Sequence, residues 1–327
     1  MNSHSRIRPW IFGLLSLGLA GPALTLAQPA WPSKAIRIIV PFAPGSFTDL
    51  SARSLAVELS EQLAQQVFVE NKGGAGGTLG ADVVAKSAPD GHTLLLTDNS
   101  FVMSAGLYAR LPYDPQKDFA QISQLAESPS IMVARLELPA KSTAKLVELA
   151  RAKPGELNFG SGGQGSSAHL ATELFMSVTS TKMSHIPFKG VAASIAEVMA
   201  GRIDISIASL ASGMPHVRSG RVQGLGVTGK ERSPLLPTVP TFAEAGFGDY
   251  NMSYWWGVAA PSGTPAAVLT RLNLEIAKAA EKARLRDSFV AQGARAVTSS
   301  QIEANKRVED EIQVWKTIIQ KTNLKIE

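Results

Sequence analysis

The sequence predicts an α/β protein folded as two lobes around a cleft. Three observations lead there. Short runs of β-branched and other apolar residues alternate with stretches of helical periodicity from Trp31 onward. At residues 41–49 and again at 160–167, a strand opens through a glycine-containing loop into a helix. Pro234, Pro237 and Pro240 mark a late linker, and the helices beyond it need a sheet to cover. The first group of strands is the one short of material, so the chain is expected to go out to a second lobe and return. Residues 31–131 and 254–327 are assigned to lobe 1, and 132–253 to lobe 2.

Lobe 1 begins with Ile36–Val40, whose apolar run reads as a buried strand. Leu50, Ala52, Leu55, Ala56, Leu59 and Leu63 recur at helical spacing and predict a helix over 48–64. Between them lies Pro41-Phe42-Ala43-Pro44-Gly45-Ser46-Phe47-Thr48-Asp49, with Thr48 as the expected cap and Asp49 in the first turn. Free backbone N–H groups and the helix dipole favour an anion there, so the loop reads as half of a carboxylate site. Asp49 has three readings: a charge favouring the helix N-terminus, a brace for the loop's amides, or an acceptor for a ligand's ammonium or hydroxyl. Gln66–Val69 is a second strand. Gly73-Gly74-Ala75-Gly76-Gly77 then leads into a helix from Thr78 to Lys86, and this glycine run reads as a turn that packs the lobe. After the turn at Pro89-Asp90-Gly91, Thr93–Thr97 is a third strand. A β-α-β-α-β order requires a parallel sheet, whose ligands bind beyond the carboxyl ends of the strands. Thr97-Asp98-Asn99-Ser100 lies on that rim. Residues 106–129 read as loop, with Pro112, Pro115 and Pro129, and Ile131–Ala134 as a strand crossing between lobes.

In lobe 2, Thr143–Ala152 is helical and Pro154-Gly155 stops it. Leu157–Phe159 is a strand opening into Gly160-Ser161-Gly162-Gly163-Gln164-Gly165-Ser166-Ser167, followed by a helix with Leu170, Ala171, Leu174 and Phe175 on one face. Met183–Ile186 is a strand, 191–200 a helix, Ile203–Ser209 a strand, 211–219 a helix and Gln223–Thr228 a strand. Beyond the linker come a strand at Trp255–Ala260 and helices over 265–281, 283–291 and 300–320. Strand alternation is expected to send one of Trp255 and Trp256 into the core and the other to a surface or the hinge. Two lobes with such loops facing each other make a hinged binder that buries a small ligand on closing.

Composition narrows the function classes. Residues 1–27 have the layout of a secretory signal peptide: Arg6 and Arg8, an apolar run from Trp10 to Ala20, Gly21-Pro22, and small residues at Thr25 and Ala27. The competing reading, an uncleaved anchor, needs a longer apolar run. Cleavage leaves 300 residues and lowers the charge excess from +5 to +3, because Arg6 and Arg8 are lost without any acid. No dense basic stripe is present, so nucleic acid is not an expected partner. The chain has no cysteine, hence no thiol for catalysis or metal. His92, His169, His185 and His216 lack ligand spacing, and no metal site is expected. His169 lies one turn into a helix whose start faces the cleft, where a structural role is expected. The Gly160–Gly165 run lacks the Gly-Lys-Ser/Thr ending of a P-loop and does not fit the dinucleotide fingerprint; a turn without ligand stays open beside the anion reading. No cofactor is expected. No Gly-x-Ser-x-Gly elbow or Ser–His–Asp set can be assigned.

The chain resembles the periplasmic receptors of tripartite tricarboxylate transporters, the Bug family, over nearly its whole length after residue 30. The markers are Trp31-Pro32-Ser33-Lys34, Ile38-Ile39-Val40-Pro41-Phe42, Thr48-Asp49 with Ala52-Arg53, Val69-Glu70-Asn71-Lys72-Gly73-Gly74-Ala75-Gly76-Gly77 with Gly80-Ala81, and Ala88-Pro89-Asp90-Gly91-His92-Thr93-Leu94. In lobe 2 they are Gly160–Ser166 with His169-Leu170 and Glu173-Leu174-Phe175, then His185-Ile186-Pro187-Phe188-Lys189-Gly190 and Gly201-Arg202-Ile203-Asp204. Their order and spacing together are specific. The resemblance implies a periplasmic binding protein-like, "Venus flytrap" receptor that captures an organic acid or acidic amino acid and delivers it to integral-membrane transporter subunits. A monomer is expected. By position, it implies first-lobe contacts from Phe42, Gly45, Ser46, Thr48 and Asp49, with Thr97, Asn99 and Ser100 beside them. In the second lobe it implies Ser161, Gly162, Gln164, Gly165, Ser166 and Ser167, with Lys189, Gly190 and Asp204 nearby. Where the family often has two glycines, this chain has Gly45-Ser46 followed by Phe47, which is expected to narrow the pocket or give it an apolar wall. Two further function classes remain: a secreted hydrolase or isomerase using Asp49 or His169 as base, and a sensor or scaffold that binds a membrane partner without a ligand of its own.

Overall fold

The structure, a computed structural model, describes Met1 and residues 31–108 and 110–322. The signal-peptide reading of residues 1–27 falls almost wholly outside the described residues. From Pro32 onward the chain forms one compact unit.

The strands join in a single sheet. β1 (Ile36–Val40) lies between β2 (Val67–Asn71) and β3 (Thr93–Asp98), parallel to both. Ile36, Ile38, Ile39 and Val40 are fully buried, as a strand covered on both faces requires. β3 pairs antiparallel with β9 (Ser253–Pro261), which pairs antiparallel with β4 (Phe119–Ala134). The last residues of β4, Ser130–Ala134, then pair antiparallel with β7 (Ile205–Ser209) on one side and, over Ile131–Ala134, with β8 (Gln223–Val227) on the other. β5 (Asn158–Ser161) is parallel to β7 and to β6 (Ser184–Pro187).

β4 corrects the reading of 119–129 as loop: these residues continue into Ile131–Ala134 as one strand of 16 residues. Distant partners bond several of its polar groups. Ser123 Oγ donates to Ser299 O, Ser299 Oγ accepts from Gln124 N, and Asn273 Nδ2 donates to Ile122 O. The short β10 (Arg295–Ala296) pairs with β4 at Glu127 and Ala126. The edge of β4 is therefore covered rather than open. Pro129, which suggested a break, sits within the strand opposite Ser253.

The helices follow in order: α1 (Phe47–Leu63), α2 (Thr78–Ala85), α3 (Asn99–Leu107), α4 (Thr143–Ala152), α5 (Ser167–Thr179), α6 (Val191–Met199), α7 (Leu210–Arg218), α8 (Ala266–Glu281), α9 (Ala283–Ala291) and α10 (Gln301–Thr322). α3 is a second correction: the sequence reading gives no helix here, placing Asn99 and Ser100 on the rim of β3 and residues from 106 in a loop. Asp98 starts it by accepting from Ser100 N at 2.9 Å. α8 lies against α1 and β4, and α10 against α3 and β4. Around the other end of β4, Ile131, Val133, Ile195, Val198, Ile203 and Leu210 form a separate apolar cluster. Trp255 and Trp256 are both buried, each 2 % exposed, so neither side chain of the pair reaches a surface. α10 covers the Trp255 face: Trp255 Nε1 donates to Glu311 at 2.8 Å, and the Arg307 guanidinium lies over its ring.

Candidate functional site

Four helices begin at the carboxyl ends of four strands, and their N-cap residues meet at one cavity. Ser46 caps α1 after β1, Asp98 caps α3 after β3, Ser166 caps α5 after β5, and Ser209 caps α7 after β7. Each cap side chain accepts from a backbone N–H of its own first turn: Asp49, Ser100, His169 and Ser212 respectively. Thr48, the expected cap of α1, is instead its second residue, because Ser46 already has the extended backbone a cap needs. The cavity, about 390 Å³ including the solvent at its mouth, is lined by these four caps with Phe42, Thr48, Gly162, Ser167, Ala168, Val191, Ser212, Tyr254 and Trp256. A lining of hydroxyls and aromatic rings suits a small ligand with an anionic head. Helix N-termini supply unpaired N–H groups and a positive dipole end.

The two jaws are built alike. Gly45-Ser46-Phe47-Thr48-Asp49 in one matches Gly165-Ser166-Ser167-Ala168-His169 in the other. Within each, the serine caps the helix and the residue three places on reaches back to the glycine. Gly45 N donates to Asp49 Oδ2 at 3.3 Å, and Gly165 N donates to His169 Nδ1 at 3.1 Å. Asp49 also takes two bonds from Arg53, at 3.0 and 2.9 Å, and one from Asn71 Nδ2 at 2.9 Å. Asn71 Nδ2 donates to Phe42 O as well, at 2.9 Å. Burial alone would raise the Asp49 pKa, but these hydrogen bonds and the Arg53 charge outweigh it and hold the carboxyl below its usual range. Asp49 is thus a brace for the loop.

Asp98 is the acid of the cavity. Ser100 donates to its Oδ1 from both the backbone N and the hydroxyl. Burial pushes it up to about 6 against the pull of hydrogen bonds from Ser100 and Ser167. Ser167 belongs to the facing jaw, so this pair spans the cleft. Phe47 N lies 3.5 Å from Ser212 Oγ, a second crossing contact. At the lip, Tyr108 OH donates to Ala75 O at 3.0 Å and lies 3.4 Å from Gln164 O. The glycine run 73–77 forms this lip, which is more than a packing turn. Gly76 has φ +64°, and a Cβ on it would sit 2.4 Å from Gln164 O. Only glycine lets the two backbones approach so closely.

Of the residues implied by the resemblance, Phe42, Ser46, Thr48, Gly162, Ser166 and Ser167 line the cavity. The others do not. Gly45 and Asp49 shape the first jaw from behind. Thr97 and Asn99 face β9, where Asn99 Oδ1 accepts from Trp255 N at 3.0 Å. Ser100 backs Asp98. Ser161 Oγ accepts from Gly163 N at 3.1 Å within its own loop and meets His185 Nε2 at 2.6 Å, behind the cavity. Gln164 and Gly165 sit at the lip against Gly76. Gly190 caps α6 and packs near Ala43, and Lys189 is exposed. Asp204 binds Arg135 Nε at 2.8 Å and Asn158 N at 2.9 Å. It precedes β7 and so lies at the opposite end of the sheet from the cavity, which corrects its placement. Phe47 is also corrected: it is 1 % exposed and points behind the cavity into Trp256 and Phe289. The sequence places Asp98 on the rim without a role and does not point to Ser209, Ser212, Tyr254 or Trp256 as lining residues. For Ser209 a signal existed, since Ser209-Leu210-Ala211-Ser212 at a strand's end repeats the strand–serine–helix pattern of Ser46 and Ser166.

Two jaws that close through helix N-termini on a shared cavity define a two-lobed solute-binding receptor. Residues 51–324 match the family described as "Tripartite tricarboxylate transporter family receptor". Protein BugT of Bordetella pertussis is 35% identical over 312 residues, covering 95% of this chain and 96% of BugT. An R. palustris protein solved with adipate superposes with a TM-score of 0.86 at 32% identity, covering 90% of this chain and 99% of that one. MatC from Rhodopseudomonas palustris, solved with bound malate, gives 0.85 at 30% identity over 88% of this chain and 100% of MatC. The chain belongs to the tripartite tricarboxylate transporter receptor family, the Bug receptors.

Proposed function

We propose that this protein captures a small organic acid between a lobe of residues 31–131 and 254–327 and a lobe of residues 132–253, and delivers it to integral-membrane transporter subunits. The observation that carries the reading is the convergence of four helix N-caps, Ser46, Asp98, Ser166 and Ser209, on one cavity. The ligand carboxylate is held by N–H groups and hydroxyls of Ser46, Thr48, Ser166, Ser167, Ser209 and Ser212, with Phe42, Tyr254 and Trp256 against its carbon skeleton. Asp98 accepts a hydroxyl, an ammonium or a carboxyl proton, so hydroxy and amino acids fall within the class. The adipate and malate of the two solved relatives support a dicarboxylate. The protein works in the periplasm, exported by residues 1–27, as a monomer and a receptor rather than an enzyme. Asp49 and His169, the two groups a catalytic reading needs as bases, are both occupied by the loops they hold.

The test is to unfold and refold the protein to strip carried-over ligand, then titrate mono-, di- and tricarboxylates by calorimetry. A small carboxylate is expected to bind, and Ser46→Trp or Ser166→Trp to abolish it. Absence of binding by every acid, or tryptophan variants that bind normally, sinks the reading.

A further inference from the structure

The second jaw differs from the first in what braces it. In the first, the glycine amide is held by a carboxylate, Asp49, that is itself neutralised by Arg53. In the second it is held by an imidazole. Gly165 N donates to His169 Nδ1 at 3.1 Å in a buried setting, so Nδ1 carries no proton there and the ring proton is on Nε2. Nε2 lies 3.5 Å from Glu173 Oε1.

A second histidine is laid flat on the first. The rings of His169 and His185 are 3.9 Å apart between centroids with an 8° interplanar angle, and Phe159 stacks on His185 at 4.8 Å. His185 Nε2 is 2.6 Å from Ser161 Oγ, the hydroxyl that accepts from Gly163 N. The stacked pair therefore touches both ends of the loop: His185 through Ser161 and Gly163, His169 through Gly165. Two charged imidazoles cannot share this stack without repulsion. Burial and the neighbouring His169 drive the His185 pKa down to about 3, which keeps that ring neutral.

We propose that neutral His169, stacked on His185, is the positioning residue of the second jaw, and that a proton on its Nδ1 releases the loop and weakens the hold on ligand. The chemistry is local. A proton on Nδ1 sets two donors, Gly165 N–H and Nδ1–H, against each other and leaves a buried amide without an acceptor. α5 contributes Glu173, which faces Nε2 and not Nδ1. β5 and β7 present no charged residue within their spans. β6 contributes His185, with Lys182 and Lys189 exposed beyond its ends. α3 contributes Asp98 at its start, bonded to Ser100. α10, also against α5, has Arg307 and Glu311 bonded to each other. None of these replaces the acceptor at Nδ1.

This inference rests on residues 160–167 being a jaw of the binding site, and its test has an arm that does not. Imidazole ¹⁵N spectra at pH 7.5 are expected to show His169 as the Nε2–H tautomer; an Nδ1–H tautomer or a charged ring overturns the proposal whichever acid binds. In the second arm, malate or adipate is titrated calorimetrically into wild type, His169→Leu and His169→Asn from pH 8 to 4.5. Leucine removes the acceptor and is expected to weaken binding at least tenfold at pH 7.5. Asparagine places an oxygen near the Nδ1 position and is expected to restore most of that loss. Wild-type affinity is expected to fall at least tenfold more than that of His169→Asn toward acid pH. Parallel profiles for those two proteins overturn the proposal, and they do so even if His169→Leu fails to fold. Failure of wild type to bind any acid, with the Nε2–H tautomer present, overturns the carboxylate reading and leaves the brace standing.

Discussion

The ring of Phe47 meets that of Trp256 edge-on, with 4.5 Å between centroids and an interplanar angle of 61°. Trp256 in turn donates from Nε1 to Thr48 Oγ1 at 2.9 Å and lines the cavity. Phe47 therefore sets the cavity wall from behind. It fixes the indole by packing, while the adjacent Thr48 fixes it by hydrogen bond.

Phe47→Ala should lower stability by about 3–5 kcal/mol, the usual cost of emptying a buried phenylalanine site. Urea unfolding measures this. Ligand affinity should fall too, since Trp256 loses its backing, whereas Phe47→Leu should lose much less of both. Unchanged affinity in a folded Phe47→Ala protein would mean that Trp256 is held in place without Phe47.

Asp98 stays protonated to a higher pH in the folded protein than in the unfolded chain, about 6 against 3.8. Its contribution to stability is fully present below the unfolded value and is lost as pH rises through 6, by on the order of 3 kcal/mol. Asp98→Asn keeps an N-cap and removes the charge. It should raise the melting temperature at pH 7.5, change it little at pH 4, and tighten binding of dianionic acids. Thermal scans and titrations at the two pH values decide this.

Asp49 has the opposite sign. Its folded pKa is lowered, so its contribution is present above the unfolded value near 3.8 and is lost as pH falls through the folded one. Asp49→Asn should cost about 1–2 kcal/mol, because Arg53 is half exposed and screened. A brace predicts that affinity for hydroxy acids and amino acids falls by the same factor. Selective loss of amino acids would instead mark Asp49 as a ligand contact.

Gly76→Ala should hinder closure. The added Cβ meets Gln164 O and the positive φ disfavours an L-residue. Affinity should drop, and small-angle scattering with saturating ligand should show a larger radius of gyration than wild type. Equal radii would mean that the lip yields without cost.

Much of this architecture is local in the chain. Ile36–Val40 and Ile203–Ser209 announce themselves by β-branched runs, and the two jaws by a glycine and serine at a strand's end. What is not local was not legible. β4 carries Gln121, Ser123 and Gln124, which look like loop residues until Asn305 takes the Gln121 amide and Ser299 takes Ser123 and Gln124, both partners far along the chain. Phe47 opens a helix, and nothing near it says that Trp256 will arrive from β9 to cover it. Tyr254 and Trp256 reach the cavity only because β9 inserts between β3 and β4. Asp98 stood in a segment already assigned to the rim, but its role as cap hid behind the missed α3.

The four caps also say how such a site changes over generations. An N-cap accepts serine, threonine, aspartate or asparagine at little cost to its helix. Ser46, Asp98, Ser166 and Ser209 are thus positions where the charge and reach of the cavity can be rewritten one letter at a time while the fold stays the same. Asp98 is already one such letter: exchanging it for serine, or a serine for aspartate, moves the site's net charge by a unit without moving the backbone. A lineage of receptors built on this plan can drift from one acid to another along a short alphabet, trading ligand fit against the cost of a buried charge while each helix keeps its cap.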